Sequence, residues 1–368
     1  MLTITRTSLI LSLLLTATTM WGQRKYSNEF LAIGVSARAH GMANAQVAFV
    51  DDMTAGYWNP AGLTQIQAPF QIGAMHAEWF AGVGKFDFIS IAKPLNADKS
   101  SAVGLTIIRL GIDDIPYTIR LIEEDGSINY DNVTSFSAAD YAVLLSYARK
   151  VKIKGHELSL GGNAKIIRRV IGTIGSAWGF GLDFGAQYKV GEKWRFGLMA
   201  RDVTSTFNAW SFTLNNEEKE VFRETDNEIP ESSIEVTRPK FILGGSYTTP
   251  LGEKTTLTAA LDMDFTTDGQ RNVLVSSESF NMDPKFGLEF GYNKFIYLRG
   301  GIGGFQESLD DVDGSTKIWT FQPNFGLGIV LGRFTIDYSQ TDIGDVALVE
   351  KSNIFSLKID LQNRKKSN

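Results

Sequence analysis

The chain has 368 residues, 36 Lys and Arg against 41 Asp and Glu, a net charge of −5, and no cysteine. The acidic balance excludes nucleic acid as a partner, because phosphate binding needs a basic face. The missing cysteines exclude disulfides, thiolate-held metals and a cysteine nucleophile.

The first 22 residues read as an export signal. Arg6 supplies a positive start, Leu9 to Leu15 a short apolar stretch, and Thr16 to Gly22 a small and polar end. Seven apolar residues are too few to anchor a chain, which takes about 20. Cleavage near Gly22 removes Arg6 and takes the net charge from −5 to −6. No later segment reads as a transmembrane helix. The longest charge-free run, Met53 to Ala77, is broken by Asn59, Pro60 and Pro69.

Residues 23–66 show no alternation. Ser36 to Phe49 is rich in small residues, which permit close backbone packing. Asp51 is placed to cap a helix running to Trp58, because a carboxylate accepts from free N–H groups. Asn59-Pro60-Ala61-Gly62 ends it, since the residue before proline avoids the helical region. Ahead of a set of strands, such a segment is expected to plug a lumen; the plainer alternative is an extension lying beneath it.

From residue 67 onward the sequence alternates with period 2. Trp178, Phe180, Leu182 and Phe184 interleave with Ala177, Gly179, Gly181 and Asp183, which is a strand with one large apolar face. Leu257 to Phe265, Phe286 to Tyr292 and Phe355 to Leu361 repeat the pattern. Strands are expected near 67–80, 85–93, 101–110, 139–149, 157–168, 177–189, 193–202, 238–248, 255–265, 285–292, 295–303, 322–331, 333–339 and 353–361. That makes fourteen, an even number, as single-chain outer-membrane barrels have. The connections after even-numbered strands are short. Those after most odd-numbered strands are long: 111–138, 203–237, 266–284, 304–321 and 340–352. Such alternation is what periplasmic turns and extracellular loops produce. Segment 203–237 holds eight acids against two bases. The expected architecture is an all-β, 14-stranded antiparallel transmembrane barrel over 67–361 with a small-residue plug over 23–66. It lies in the outer membrane, in contact with its lipid, and 362–368 forms a periplasmic tail.

Inward positions carry charges: Asp183, Arg195, Arg201, Lys240, Asp262, Asp264, Lys285, Glu289, Arg299, Arg333, Lys358 and Asp360. Left unpaired away from water, these are costly. They are therefore expected to pair with one another and with Arg38, Asp51 and Asp52 of the plug. His40 and His76 are expected to be structural, and Tyr57 and Trp58 to be packing groups. No G-x-S-x-G, no H-E-x-x-H and no phosphate-binding glycine pattern is present. Asp310 to Gly314 fails as a calcium loop, because Leu309 and Thr320 occupy its first and last ligand positions. No cofactor, no metal and no enzymatic activity are expected.

The stretch ARAHGMANAQVAFVDDMTAGYWNPAGL, containing Arg38, Gly41, Asp51, Asp52, Trp58, Asn59, Pro60 and Ala61, resembles the N-terminal signature of the PorV/PorQ family, a branch of the FadL-like outer-membrane barrels. Asn59-Pro60-Ala61 is similar to the Asn-Pro-Ala of the FadL hatch. Where that family commonly shows more glycine after Gly-Met, this chain has Ala43-Asn44. The resemblance implies a non-enzymatic component of type IX protein secretion, binding or shuttling secreted and surface proteins. The alternative it leaves open is a FadL-like transporter of hydrophobic small molecules.

Overall fold

A computed structural model describes residues 27–80, 82–123, 125–309, 316–341 and 352–361. The proposed signal segment, the proposed periplasmic tail and the acidic run 310–314 lie outside the described residues.

Fourteen antiparallel strands form one closed barrel. They are β1 (Phe70–Trp79), β2 (Gly84–Pro94), β3 (Ser101–Tyr117), β4 (Thr134–Ile153), β5 (His156–Ile171), β6 (Gly175–Val190), β7 (Trp194–Arg201, resumed at Thr206–Phe212), β8 (Ile234–Thr237, resumed at Lys240–Pro250), β9 (Thr255–Thr266), β10 (Asn281–Tyr292), β11 (Ile296–Leu309), β12 (Lys317–Leu331), β13 (Phe334–Thr341) and β14 (Ser352–Leu361). Each strand pairs with its sequence neighbours, and β1 closes the ring by pairing with β14, His76 opposite Phe355. Closure leaves no sheet edge, so the ladder pairs the backbone around the whole ring.

The alternation acts as expected. On β6, Trp178, Phe180, Leu182 and Phe184 are exposed, while Ala177, Gly179, Gly181 and Asp183 point into the lumen and are buried. An apolar belt of this kind around a closed barrel is the surface of an outer-membrane protein, and the protein resides there. No helix among the described residues is long and apolar enough to cross a membrane; the crossing is made by strands.

The short turns join β2–β3, β4–β5, β6–β7, β8–β9, β10–β11 and β12–β13 at one end. The loops expected at the other end are shorter than the sequence suggested, because β3, β4, β11 and β12 run well beyond membrane length. β4 alone has 20 residues, where about 9–11 span a bilayer. Segment 203–237 is likewise not all loop. It continues β7, forms helix α1 (Asn216–Glu224) behind a capping box on Asn215, and begins β8. The β5–β6 connection at this end is also tight.

Candidate functional site

The lumen is filled by residues 27–66, so the site is the interface between this plug and the inner wall. The segment starts at the extracellular end, where Ser27 Oγ donates to Glu235 (3.2 Å) and Asn28 Nδ2 to Thr237 (2.8 Å). It descends to Thr64, whose hydroxyl lies 2.8 Å from Ser159 near the periplasmic end, and leaves into β1.

Glycines on the wall let the plug's backbone come close. A Cβ at Gly197 would fall 2.3 Å from the Val47 carbonyl oxygen. One at Gly301 would fall 2.4 Å from the Met42–Ala43 peptide, and one at Gly161 2.5 Å from the Pro60–Ala61 peptide. On the plug itself, a Cβ at Gly41 would come within 2.9 Å of Gly326 Cα. Spread over β5, β7, β11 and β12, these glycines form a seat that no larger residue fits.

Asn59 locks the lower plug. Its Nδ2 donates to the Val47 carbonyl (2.9 Å) and to the Ala186 carbonyl of β6 (3.0 Å), and its Oδ1 accepts from Ala61 N–H (3.2 Å). Pro60 opens a short 3₁₀ turn (Pro60–Gln65) at the position where a missing N–H costs nothing. The expected cap differs. The helix is only Ala55–Trp58, and Asp51 does not cap it; its carboxylate turns to Arg38 (3.1 Å) and Arg195 (4.0 Å). Asp52 instead accepts from the Thr54 N–H and hydroxyl and lies 3.8 Å from Lys358. Charge attraction outcompeted the local cap.

Three charge clusters line the wall. Glu289 of β10 accepts from Arg38 of the plug (2.9 and 3.0 Å) and from Arg299 of β11 (2.7 Å), which also donates to Asp337 (2.7 Å). Asp264 holds Lys240 and Lys285, each at 2.6 Å. Lys165 bridges Asp183 (3.0 Å) and Asp202 (2.6 Å). Asp262 takes a different role, accepting the backbone N–H groups of Gln46 (2.7 Å) and Val47 (2.9 Å). Arg201 donates to the Leu31 and Tyr57 carbonyls and lies 4.3 Å from the Tyr57 ring centroid and 5.8 Å from that of Trp58. Tyr57 and Trp58 reach back in turn to the Leu31 and Val35 carbonyls. Asp360 accepts from Gln71.

Arg333 corrects the sequence reading: it is exposed in the β12–β13 turn and packs over Phe334, because the strand ends before it. His76 also stands apart, on the outer face of β1, whereas His40 is buried against Trp79 in the plug. Sequence reasoning missed Lys165, Asp202 and Asp337. The signal for two was present: Ser159, Gly161, Asn163 and Lys165 interleave with the nonpolar Leu160, Gly162, Ala164 and Ile166, and Thr335, Asp337 and Ser339 interleave with Ile336 and Tyr338.

Beside the upper plug, a cavity of about 70 Å³ lies among Ser27, Leu31, Tyr57, Lys165, Asp183 and Arg201. The barrel wall is irregular next to it. Between the two parts of β7 the register against β6 shifts by three residues, from Phe184 opposite Ala200 to Phe180 opposite Phe207. Asp202 and Ser205 take left-handed φ values of 54° and 57° there. β8 is interrupted alongside at Arg238-Pro239, where proline has no N–H for the ladder. Above this level Arg271 ties the plug to the β9–β10 loop, donating to Glu29 (2.9 Å) and Asp268 (3.0 Å). Partial burial pushes the Asp268 carboxyl up, but the Arg271 guanidinium outweighs it and holds the group below the usual carboxylate range. Among the described residues no cluster of His, Cys, Asp and Glu is placed to hold a metal.

No protein-family model matches the chain, and no curated protein matches it in sequence. Solved structures do match it. The Ralstonia pickettii toluene transporter TbuX is 12% identical with a TM-score of 0.52, over 89% of this chain and 99% of that one. The CymD monoaromatic hydrocarbon channel is 11% identical with a TM-score of 0.55, over 90% and 99%. A Pseudomonas aeruginosa FadL homologue is 13% identical with a TM-score of 0.52, over 89% and 98%. This chain has the FadL-type barrel fold. That much accords with the FadL-like part of the resemblance noted from the sequence.

Proposed function

We propose that the protein is an outer-membrane channel for small hydrophobic molecules, in a closed state. Its architecture is that of barrels described as toluene transporters and monoaromatic hydrocarbon channels, but fold alone does not fix function. The observation that carries the reading is the juxtaposition of the cavity beside the upper plug with the interrupted strands β7 and β8. At about 70 Å³ and lined by charges, the cavity is far below the roughly 300–1,000 Å³ of an apolar ligand site. Passage on this reading requires residues 27–32 to move away from the wall.

The test uses the absence of native cysteine. Glu29→Cys with Arg271→Cys tethers the upper plug to the loop when oxidised. Toluene uptake by intact cells is expected to fall to the level of a deletion strain under oxidation and to recover on reduction. Uptake equal in both states, or never above the deletion strain, overturns the reading.

A second reading, a component of type IX secretion that binds protein partners, is favoured by one observation. The lumen is packed with plug and ion pairs, whereas the extracellular helix α1 presents Glu217, Glu218 and Glu220 with no residue buried. Loss of surface proteins in the deletion strain, with toluene uptake unchanged, is its expected signature.

A further inference from the structure

The outer face of β1–β3 breaks the apolar belt. His76, Glu78, Lys85, Asp87, Arg109 and Asp113 all point outward, with side chains 33–60% exposed. On β9, by contrast, the outward positions Leu257, Ala259, Leu261, Met263 and Phe265 carry no charge. The charged groups do not stand above the membrane. β1 has 10 residues and β2 has 11, only the length that crosses a bilayer. The hairpin tip above the charges carries exposed Phe80 and Val83, and exposed Ile89 and Ile107 lie below them. Charges facing lipid are destabilising at such depth.

The groups pair among themselves in part. Asp87 bridges His76 (2.8 Å) and Arg109 (3.3 Å), and Lys85 reaches Asp113 (2.9 Å). Below them the wall is hollowed over Ala74, leaving an open groove of about 560 Å³ floored by Ile89, Ile107, Phe355 and Leu357. Glu78, Asp87 and Asp113 outnumber Lys85 and Arg109, so the patch does not attract an anionic lipid headgroup.

The strand register shows what the patch fits. One cross-strand row runs His76, Asp87, Arg109, Tyr141, Arg168, Trp178. His76 stands six residues above the base of β1 at Phe70, and Trp178 twelve above the base of β6 at Val190. The row therefore climbs about one residue per strand, which is the strand tilt of the barrel. Arg109, two strands on from His76, lies level with Glu78, two residues up from His76. A two-fold axis along the membrane normal keeps depth and sets β2 against β2 and β1 against the other copy's β3. It places Glu78 of each copy opposite Arg109 of the other.

We propose that the β1–β3 face is a self-complementary interface between two copies of this chain, burying the charged patch and the groove over Ala74 within the membrane. The inference is independent of what the lumen carries.

Single-cysteine variants test it in native outer membranes. Ile89→Cys, on β2 near the axis, is expected to give a disulfide-linked homodimer, and Phe286→Cys, on the far side of the barrel, is not. In the Ile89→Cys background, Glu78→Arg or Arg109→Glu alone is expected to lower the dimer yield about fivefold, the ratio that ~1 kcal/mol commands. Co-expression of the two charge variants is expected to restore it. Resistance of the barrel to SDS without heating shows that each variant is folded. No homodimer from Ile89→Cys, equal dimer at both positions, or capture of a different protein overturns the proposal.

Discussion

The two halves of the plug are held by different physics. From Arg38 to Thr64 the segment lies on the wall through glycine contacts, the Asn59 hydrogen bonds and the Arg38–Glu289–Arg299 cluster, nearly all of it buried. From Ser27 to Ala32 the segment buries Phe30, Ser27 and Asn28, but Glu29 and Ala32 are exposed, and near the extracellular mouth Glu29 is tied by an exposed link to Arg271. Buried, geometrically exact seating does not loosen in parts, whereas exposed polar links exchange readily with water. The lower plug is thus a structural floor, and any opening of the lumen starts at its upper end.

The strongest challenge to that contrast is Glu289→Ala. It leaves the buried Arg299 and the partly buried Arg38 without their shared carboxylate, and breaking a buried pair from one side costs about 3–5 kcal/mol. The expected result is a large drop in the unfolding midpoint of the purified barrel and a rise in single-channel conductance as the floor loosens. Asn59→Ala comes next. It removes a donor from the Ala186 and Val47 carbonyls, the latter keeping Gln187, and the acceptor of the Ala61 N–H; a buried group left unsatisfied costs about 1–3 kcal/mol. Protease access to residues 41–66 in detergent is expected to increase. If either variant leaves stability and conductance unchanged while an upper-plug variant alters them, the contrast is reversed.

The barrel was legible because its signal is repeated. Each of the fourteen expected strands is found, since alternation between a lipid face and a lumen face is a local pattern that neighbouring residues carry. What the sequence hid was contact between distant segments. Nothing near Asp51 shows that Arg38 and Arg195 draw it from the helix end, and nothing near Gly197 or Gly301 tells a seat for the plug from an ordinary weak point in a strand. Strand ends beyond the membrane were also hidden, because β3 and β4 lose their apolar face there while keeping their ladder: Ile115 still pairs with Phe136. The Ala43-Asn44 departure became intelligible only in three dimensions. Both residues have left-handed φ, 50° and 66°, a region that glycine enters freely and asparagine tolerates, but alanine does not.

Ala43→Gly therefore sharpens the same contrast with the opposite sign. Relief of the left-handed alanine is expected to stabilise the lower plug by about 1 kcal/mol, partly offset by the freedom glycine gains when unfolded. A higher unfolding midpoint with unchanged conductance is the expected outcome; a fall shows that the Ala43 methyl group, which packs beside Gly301, matters more than the backbone it strains.

The smallest effect belongs to the upper plug. Arg271→Ala removes the link to Glu29 and the group that depresses Asp268. Exposed pairs of this kind contribute less than ~1 kcal/mol, so global stability is expected to stay nearly constant while hydrogen exchange at residues 28–32 accelerates. The pH dependence has a fixed sign. A carboxylate whose folded pKa lies below its unfolded value, about 3.9 for Asp, stabilises the fold above that value and loses the contribution as pH falls through the folded one. The Asp268 contribution is thus fully present from pH 5 to 8, and the wild-type and Arg271→Ala exchange rates are expected to differ there by a constant factor. As the pH falls through the depressed Asp268 value, Arg271 loses the carboxylate that positions it toward Glu29, and the two rates are expected to draw together. Rates that stay apart at low pH would show that Arg271 holds Glu29 and the upper plug without help from the Asp268 carboxylate.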